Sequence, residues 1–283
     1  MTGSEGDALR QRSHVAPVTE ADVDLLCQIL YEETGMVFDG ARRAFVTHRL
    51  LPRLGEFGGS LTAYLDVLRA APEAWRAFVD LFTVNETYFF RDAAQFEALR
   101  HIAARSTPSV PFRVWSAGCS VGCEALSLAM VLEETLGDGS WSVIGTDISP
   151  SCLAVAERGL YSERELHVVD EGRRRRYFRW TGRYWHFTHP CRRHVRFAYG
   201  NVLDPGPEVP YGLDAIFCRN VLIYFDVEAR RKALAAFAER LRPGGYLFLG
   251  AAETVVQENR TWARVRVGEA FCYVRTGEVA APG

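Results

Sequence analysis

From about residue 111 onward, short apolar runs take turns with amphipathic stretches, and this alternation constrains the fold more than any other feature of the chain. FRVWSA reads as a buried strand, followed by the turn GCSVG and the helix EALSLAMVLEETLG. WSVIGTDIS is a second strand, with the helix SCLAVAERGL behind it. HVRFAYGNVLD and LDAIFCRN read as further strands, VEARRKALAAFAERL as a helix and GGYLFLG as the next strand, before a terminal hairpin in RVRVGEAFCYVR. Strands that alternate with helices predict an open α/β sheet with right-handed crossovers. Between about 172 and 193 the alternation is interrupted by YFRWTGRYWHFTH, whose alternating aromatics around Thr181-Gly182 predict a small inserted β-hairpin.

The 283 residues allow about two domains, and the periodicity before residue 90 differs from that after 111. Residues 1–16 read as a flexible tail and 17–90 as a small all-α domain. Thr19 and Asp22 form a capping-box-like start, Val23, Leu26, Cys27, Leu30 and Tyr31 follow helical spacing, and Gly35 supplies a stop. A second helix is expected over about 40–55, with a kink at Pro52. On it, Arg42, Arg49 and Arg53 fall within about 40° of one another, beside a separate apolar stripe of Leu50, Leu51 and Leu54. LTAYLDVLRA and PEAWRAFVDLF fit two more short helices. The polar, Pro-containing stretch near Ser106–Pro111 marks the change of pattern, so 91–110 reads as a linker and 111–283 as the α/β domain, with its insertion at about 172–198.

Charge excludes some functions. The formal net charge is -2, yet residues 161–200 carry ten basic and four acidic side chains, among them Arg173, Arg174, Arg175 and Arg176 in a row. The acidic remainder would repel phosphate, which argues against nucleic acid and leaves a solvated face or a docking surface for an acidic partner. Lys232 is the only lysine among 33 basic residues. No apolar run approaches the roughly 20 residues of a membrane span, and the N-terminus lacks the apolar core of a secretory signal. Seven scattered cysteines without such a signal suggest reduced thiols in a cytoplasmic protein. Cys119 and Cys123 have no second Cys/His pair at metal-ligand spacing, so no metal site is expected.

Ligands of open α/β sheets sit beyond the carboxyl ends of the strands, at the topological switch point. The first strand-to-helix turn here is Ala117-Gly118-Cys119-Ser120-Val121-Gly122, whose small residues let a ligand approach the backbone. Asp147 ends the second strand, a position suited to ribose hydroxyls. Together they suggest a nucleoside-bearing cofactor. The phosphate-binding G-x-x-x-x-G-K-[ST] is absent, and the turn has no clean G-x-G-x-x-G. Asn201, Arg219, Asn220 and Tyr224 add polar groups at later strand ends. Upstream, the aromatics of Asn85-Glu86-Thr87-Tyr88-Phe89-Phe90-Arg91 are expected to pack against the α/β domain, leaving Asn, Thr and Arg to face the cleft.

These segments resemble one family. TVNETYFFR is similar to a T-x-N-E-T-x-F-F-R signature and WSAGCSVGCEALSLAM to W-S-A-G-C-S-T-G-E-E-P-Y-S-L-A-M; GTDIS, FAYGNVLD, DAIFCRNVLIYFD and LRPGGYLFLGAAET follow in the same order. This is the pattern of the CheR chemoreceptor glutamate O-methyltransferases, and it covers about residues 20–275. The resemblance implies a Rossmann-like class I methyltransferase sheet with an inserted β-subdomain, an N-terminal helical domain that reads receptor helices, and S-adenosyl-L-methionine as cofactor with S-adenosyl-L-homocysteine as product. It implies cofactor contacts from Asn85, Thr87, Arg91, Gly118, Glu124, Asp147, Asn201, Val202, Arg219 and Asn220. Arg91 and Tyr224 would serve the transfer itself, and Arg42, Arg49 and Arg53 would recognise the substrate.

The implied reaction methylates a glutamate carboxylate on cytoplasmic helices of methyl-accepting chemoreceptors. That carboxylate is ionised near neutral pH, so alignment rather than a general base is required. Arg91 is expected to contact a carboxylate of cofactor or substrate, and Tyr224 to orient the attacking oxygen. The protein is expected to act as a cytoplasmic monomer without inserting into the membrane. The sequence departs from the family pattern at Val121 (usually Thr), Cys123 (usually Glu), Ala125 (Pro), Leu126 (Tyr) and Ala251-Ala252-Glu253 (His-Ser-Glu). The missing carboxylate at Cys123 leaves Glu124 as the local acid. The short Thr181-Gly182 turn argues against a receptor-peptide tether. A non-catalytic cofactor-binding scaffold of the same fold and a methyltransferase for small molecules or nucleic acid are the competing readings. The helical domain and the lack of an N-P-P-Y-like motif argue against the latter.

Overall fold

A computed structural model describes residues 18–54, 57, 59–106, 111–139, 141–255 and 261–277. The tail expected at 1–16 lies outside these residues. Two compact units emerge, one of residues up to Glu33 together with Val37–Phe82, the other of Thr34–Met36 with Thr83 onward.

The smaller unit is helical. Its first helix, α1 (Glu20–Thr34), begins where Thr19 and Asp22 exchange hydrogen bonds, Thr19 N to Asp22 Oδ2 at 2.9 Å and Asp22 N to Thr19 Oγ1 at 3.2 Å. It stops at Gly35, whose φ of 75° continues no right-handed helix. The second helix, α2 (Gly40–Leu54), buries Val46, Leu50 and Leu54, whereas Leu51 is half exposed. Pro52 sits in its last turn, where the missing amide donor removes one i→i−4 bond and the helix ends two residues later. Arg43 ties the two helices by ion pairs to Glu20, at 2.6 Å, and to Asp24. Two short helices follow, α3 (Leu61–Arg69), capped by Ser60, and α4 (Pro72–Asp80). They bury Tyr64 and Phe78, whose rings meet edge-on at 5.5 Å.

The larger unit opens with α5 (Ala93–Ala103), in the stretch expected to be a linker. Phe96, Leu99 and Ile102 recur at helical spacing and are buried, so enough apolar surface is covered to order this segment. Then come β1 (Phe112–Ala117), α6 (Cys123–Leu136), β2 (Trp141–Asp147) and α7 (Pro150–Arg158). A small insertion follows with β3 (Leu160–Tyr161), α8 (Glu163–Leu166), α9 (Glu171–Tyr177), β4 (Phe178–Trp180) and β5 (Trp185–Phe187). The main sheet resumes with β6 (Val195–Tyr199), β7 (Leu213–Cys218), α10 (Val227–Arg240), β8 (Leu241–Leu249), β9 (Trp262–Val267) and β10 (Ala270–Arg275).

The seven-stranded sheet runs β6-β2-β1-β7-β8-β10-β9, parallel except for β10, which is antiparallel to both neighbours. The direction of winding reverses at β1, which pairs with β2 on one side and β7 on the other. This is a Rossmann-like sheet, and α6 is so deeply packed on it that Cys123 through Leu132 are all buried. The inserted hairpin closes through Thr181 N to Tyr184 O at 2.9 Å, and β3 extends it to a three-stranded sheet of order β3-β5-β4. The insertion therefore begins earlier than the hairpin alone predicts. No described helix is long and apolar enough to cross a membrane.

Candidate active site

The carboxyl ends of β1, β2, β6 and β7 open onto a cleft within the larger unit. Its wall begins with the turn after β1. Gly118 N and Cys119 N both donate to Thr146 O, at 2.8 and 2.9 Å, which holds the turn against the end of β2. Gly118 has φ of 76°, and a Cβ there would sit 2.5 Å from Val221 Cγ2. Only glycine allows this backbone to lie so close to the loop after β7.

Asp147 closes β2 with its carboxylate held in place. Oδ2 accepts from Ser120 N at 2.7 Å and Oδ1 from Ser149 N at 2.9 Å. The two amide donors fix the orientation of a carboxylate that lines the cleft. Gly200, Asn201 and Val202 follow β6 and form the adjoining wall.

The segment before α5 is anchored by its aromatics. Phe89 is buried edge-on against Tyr161 at 4.8 Å and Phe178 at 5.2 Å, while Phe90 N donates to Ser127 Oγ at 3.0 Å. Phe90 and Asp92 take φ of 54° and 59°, a conformation that non-glycine residues adopt rarely. The result turns Asn85, Thr87 and Arg91 into the cleft, as expected from the motif. Arg91 Nη1 donates to Glu86 O at 3.3 Å, and among the described residues no carboxylate pairs with its guanidinium.

The deepest polar contact joins α6 to the end of β7. Glu124 Oε1 accepts from Ser116 Oγ and Oε2 from Arg219 Nε, both at 2.6 Å. Arg219 also donates to Arg91 O and to Gln95 Oε1, the latter at 3.3 Å. Glu124, the acid left by the Cys123 departure, therefore reaches the cleft wall with both oxygens already engaged. Cys123 itself is fully buried in the core and is not among the cleft residues. Val121 likewise stands outside the cleft, and its carbonyl accepts from Tyr161 Oη at 2.9 Å.

Next to Arg219, Asn220 takes φ of 61° and leaves Oδ1 buried without a donor among the described residues. A buried orphan acceptor in a cleft is costly unless a ligand supplies the donor. Cys119 also lines the cleft, but burial, with Asp147 beside it, pushes its thiol well above the usual range. It is therefore neutral and no nucleophile at physiological pH.

All eleven residues expected to serve cofactor or transfer chemistry, including Tyr224, thus line one cleft. Thr34, Met36, Glu86, Ser120 and Ile148 line it too and were not singled out from the sequence. Met36 arrives there by bridging antiparallel to Phe225, a long-range contact with no local signal. Arg42, Arg49 and Arg53 belong to the smaller unit, on α2. Arg49 is exposed over the Phe45 ring, Arg53 donates to Arg49 O at 2.8 Å, and Arg42 is half-buried against Val37 O at 3.2 Å. Among the described residues no group of three or more His, Cys, Asp or Glu side chains could hold a metal ion.

The donor set fits S-adenosylmethionine, with a held carboxylate for ribose hydroxyls and an orphan amide oxygen for a ligand donor. Comparison with known proteins gives the same answer. Residues 85–271 match the SAM-binding domain of CheR methyltransferases and 21–83 match the all-alpha domain of the same proteins. A chemotaxis protein methyltransferase of Salmonella typhimurium is 34% identical over 89% of this chain and 90% of its own length. One of Escherichia coli is 36% identical over 87% of this chain and 88% of its own. A probable biofilm formation methyltransferase, WspC, of Pseudomonas putida is 32% identical over 90% of this chain and 62% of its own.

Proposed function

The chain belongs to the CheR methyltransferase family, as an S-adenosylmethionine-dependent protein methyltransferase, and from that premise we propose that its acceptors are glutamate side chains on cytoplasmic helices of chemoreceptors. The product is a glutamate methyl ester, and the process served is chemosensory adaptation. The observation that carries this reading is the meeting of Arg91, Asp147, Asn220 and Tyr224, from three separate segments of the chain, around one cleft.

The cofactor supplies a methyl group on a positively charged sulfur. Asp147 holds the ribose, with Asn201 and Val202 beside the base. Asn220 Oδ1 accepts a donor that no described residue provides. Arg91, which pairs with no carboxylate among the described residues, is available to a carboxylate of cofactor or substrate. Tyr224 orients the acceptor oxygen. A glutamate at neutral pH is already ionised, so the residues need only align it and exclude water. Charge is lost from both reactants as they combine, and a closed, poorly solvated cleft favours that change. Arg42, Arg49 and Arg53 on α2 suit an acidic helix through forked hydrogen bonds.

Labelled methyl transfer to receptor-containing membranes of the same organism tests the reading. Alkali-labile label on a receptor supports it. Binding of S-adenosylhomocysteine without transfer to any receptor points instead to a non-catalytic scaffold. Arg91→Ala and Tyr224→Phe are each expected to lower turnover about tenfold or more. If both variants fold and turn over like the parent, those two roles are wrong.

A further inference from the structure

Glu253 stands outside the cleft, yet its carboxylate gathers the loop that carries two of the cleft residues. Oε2 accepts from Asn220 N at 2.9 Å and from Gly250 N at 2.6 Å, and Oε1 accepts from Ile223 N at 3.2 Å. Among the described residues no cation pairs with it, so its three partners are all main-chain amides. Two of those amides belong to the turn that follows β7, and the third follows β8. Asn220 begins the turn in the left-handed region, with φ of 61°. A short 3-10 turn, Leu222–Tyr224, completes it. Without the carboxylate, the amides of Asn220 and Gly250 would lose the acceptor that both share.

We propose that Glu253 is a positioning residue for methyl transfer, holding the Asn220–Tyr224 turn in the one conformation that presents Asn220 Oδ1 and Tyr224 to the cleft. The carboxylate offsets the cost of left-handed backbone at Asn220 by giving that amide a charged acceptor. It also ties the turn to the end of β8 through Gly250, so the cleft wall inherits the rigidity of the sheet. A carboxylate is needed because it accepts at both oxygens. An amide in its place would turn an NH2 group toward one of the backbone donors. Gly250 is part of the same device. A Cβ there would lie 2.7 Å from Glu253 Oε2 and 3.0 Å from Asn220 N, so the position stays bare to let the carboxylate in.

The proposal rests on the reaction proposed above, and its test separates the two. Glu253→Gln keeps the shape of the side chain, and Gly250→Ala keeps the carboxylate but displaces it. In labelled transfer, each is expected to lower kcat at least about tenfold while the receptor KM stays within about twofold. A merely structural residue would lower stability and the fraction of active protein, but not kcat per S-adenosylhomocysteine site counted by calorimetry. Calorimetry also gives a readout that needs no receptor. Glu253→Gln is expected to weaken S-adenosylhomocysteine about tenfold in the parent, but less than about twofold once Asn220→Ala is present, since the two act as one unit. Parental kcat and affinity in Glu253→Gln, or an equal loss of affinity in the Asn220→Ala background, overturns the proposal. If the parent methylates no receptor, the acceptor assignment fails and the binding cycle alone decides the role of Glu253.

Discussion

Arg219 Nε donates to Glu124 Oε2 across 2.6 Å, with the two side chains only 3% and 10% exposed. The pair locks the start of α6 to the end of β7 directly beneath the cleft. Removing one member of a buried ion pair strands the other, at a cost of roughly 3–5 kcal/mol. Asp92 at 3.5 Å and the Arg91 carbonyl would remain as partners for Arg219. Glu124→Ala is therefore expected to lose about 3 kcal/mol, the lower end of that range. Urea unfolding measures it. A loss under about 1 kcal/mol would mean that Asp92 and the carbonyl satisfy Arg219 without Glu124.

Asp147 joins cofactor binding to the order of the loop beside it. Its oxygens accept from Ser120 N and Ser149 N, so the same carboxylate that faces the cleft also shapes the cleft wall. Hydrogen bonds to charged groups contribute about 1.5–3 kcal/mol. Asp147→Ala should weaken S-adenosylhomocysteine by roughly ten- to a hundredfold, with heat-induced unfolding also shifted downward. Calorimetric titration reads the affinity. An unchanged dissociation constant in the folded variant would remove Asp147 from the cofactor site.

Much of this site is legible in the chain because strand ends announce themselves. Asp147, Asn201 and Arg219-Asn220 each stand at the polar end of an apolar run, and parallel strands bring such ends to one edge. The packing role of Phe89 and Phe90 is legible for a similar reason, since adjacent aromatics in a polar stretch need a core. What depends on distant pairing is not legible. Met36 reaches the cleft through Phe225, and Glu253 reaches the turn at Asn220, across separations that no periodicity encodes. The helix α5 shows a different lapse. Its Phe96, Leu99 and Ile102 have helical spacing, but the Pro-containing stretch after it drew the boundary of the linker too early. Arg43 lies off the arginine stripe, and its ties from α2 to α1 through Glu20 and Asp24 have no signal in the spacing.

That difference among the α2 arginines gives a sharp contrast. Among the described residues, Arg49 is engaged by a ring contact and Arg53 by a backbone carbonyl, both within α2, so a carboxylate-rich partner can compete for them. Arg43 is committed to Glu20 and Asp24, which hold its guanidinium well above the ordinary range. Charge reversal of Arg42, Arg49 and Arg53 together should raise the receptor KM about tenfold or more, leave kcat within about twofold and flatten the dependence on salt. Arg43→Ala should instead lower the melting temperature and leave the salt dependence as it is. Methylation kinetics across a salt series distinguish the two. The same salt slope in the parent and the triple variant would exclude α2 as the charged docking face.

Alkaline pH should loosen the fold through its buried thiols. Burial pushes both Cys191 and Cys272 up to about 12, and it raises Cys119, Cys123 and Cys218 as well. In the unfolded chain these thiols ionise from about 8.5. Between that value and about 12, the folded protein keeps protons that the unfolded chain has released. Stability from the neutral thiols is therefore fully present below about pH 8.5 and is lost as pH rises toward the folded values. Tyr161 and Tyr177, also raised by burial, act in the same direction at higher pH. The urea midpoint should fall progressively between about pH 8 and pH 10. Cys191→Ala and Cys272→Ala should each make that fall shallower, since each removes one of the retained protons. A midpoint that stays level across this range, or a slope the two substitutions leave untouched, would show that these thiols ionise alike in the folded and unfolded chain.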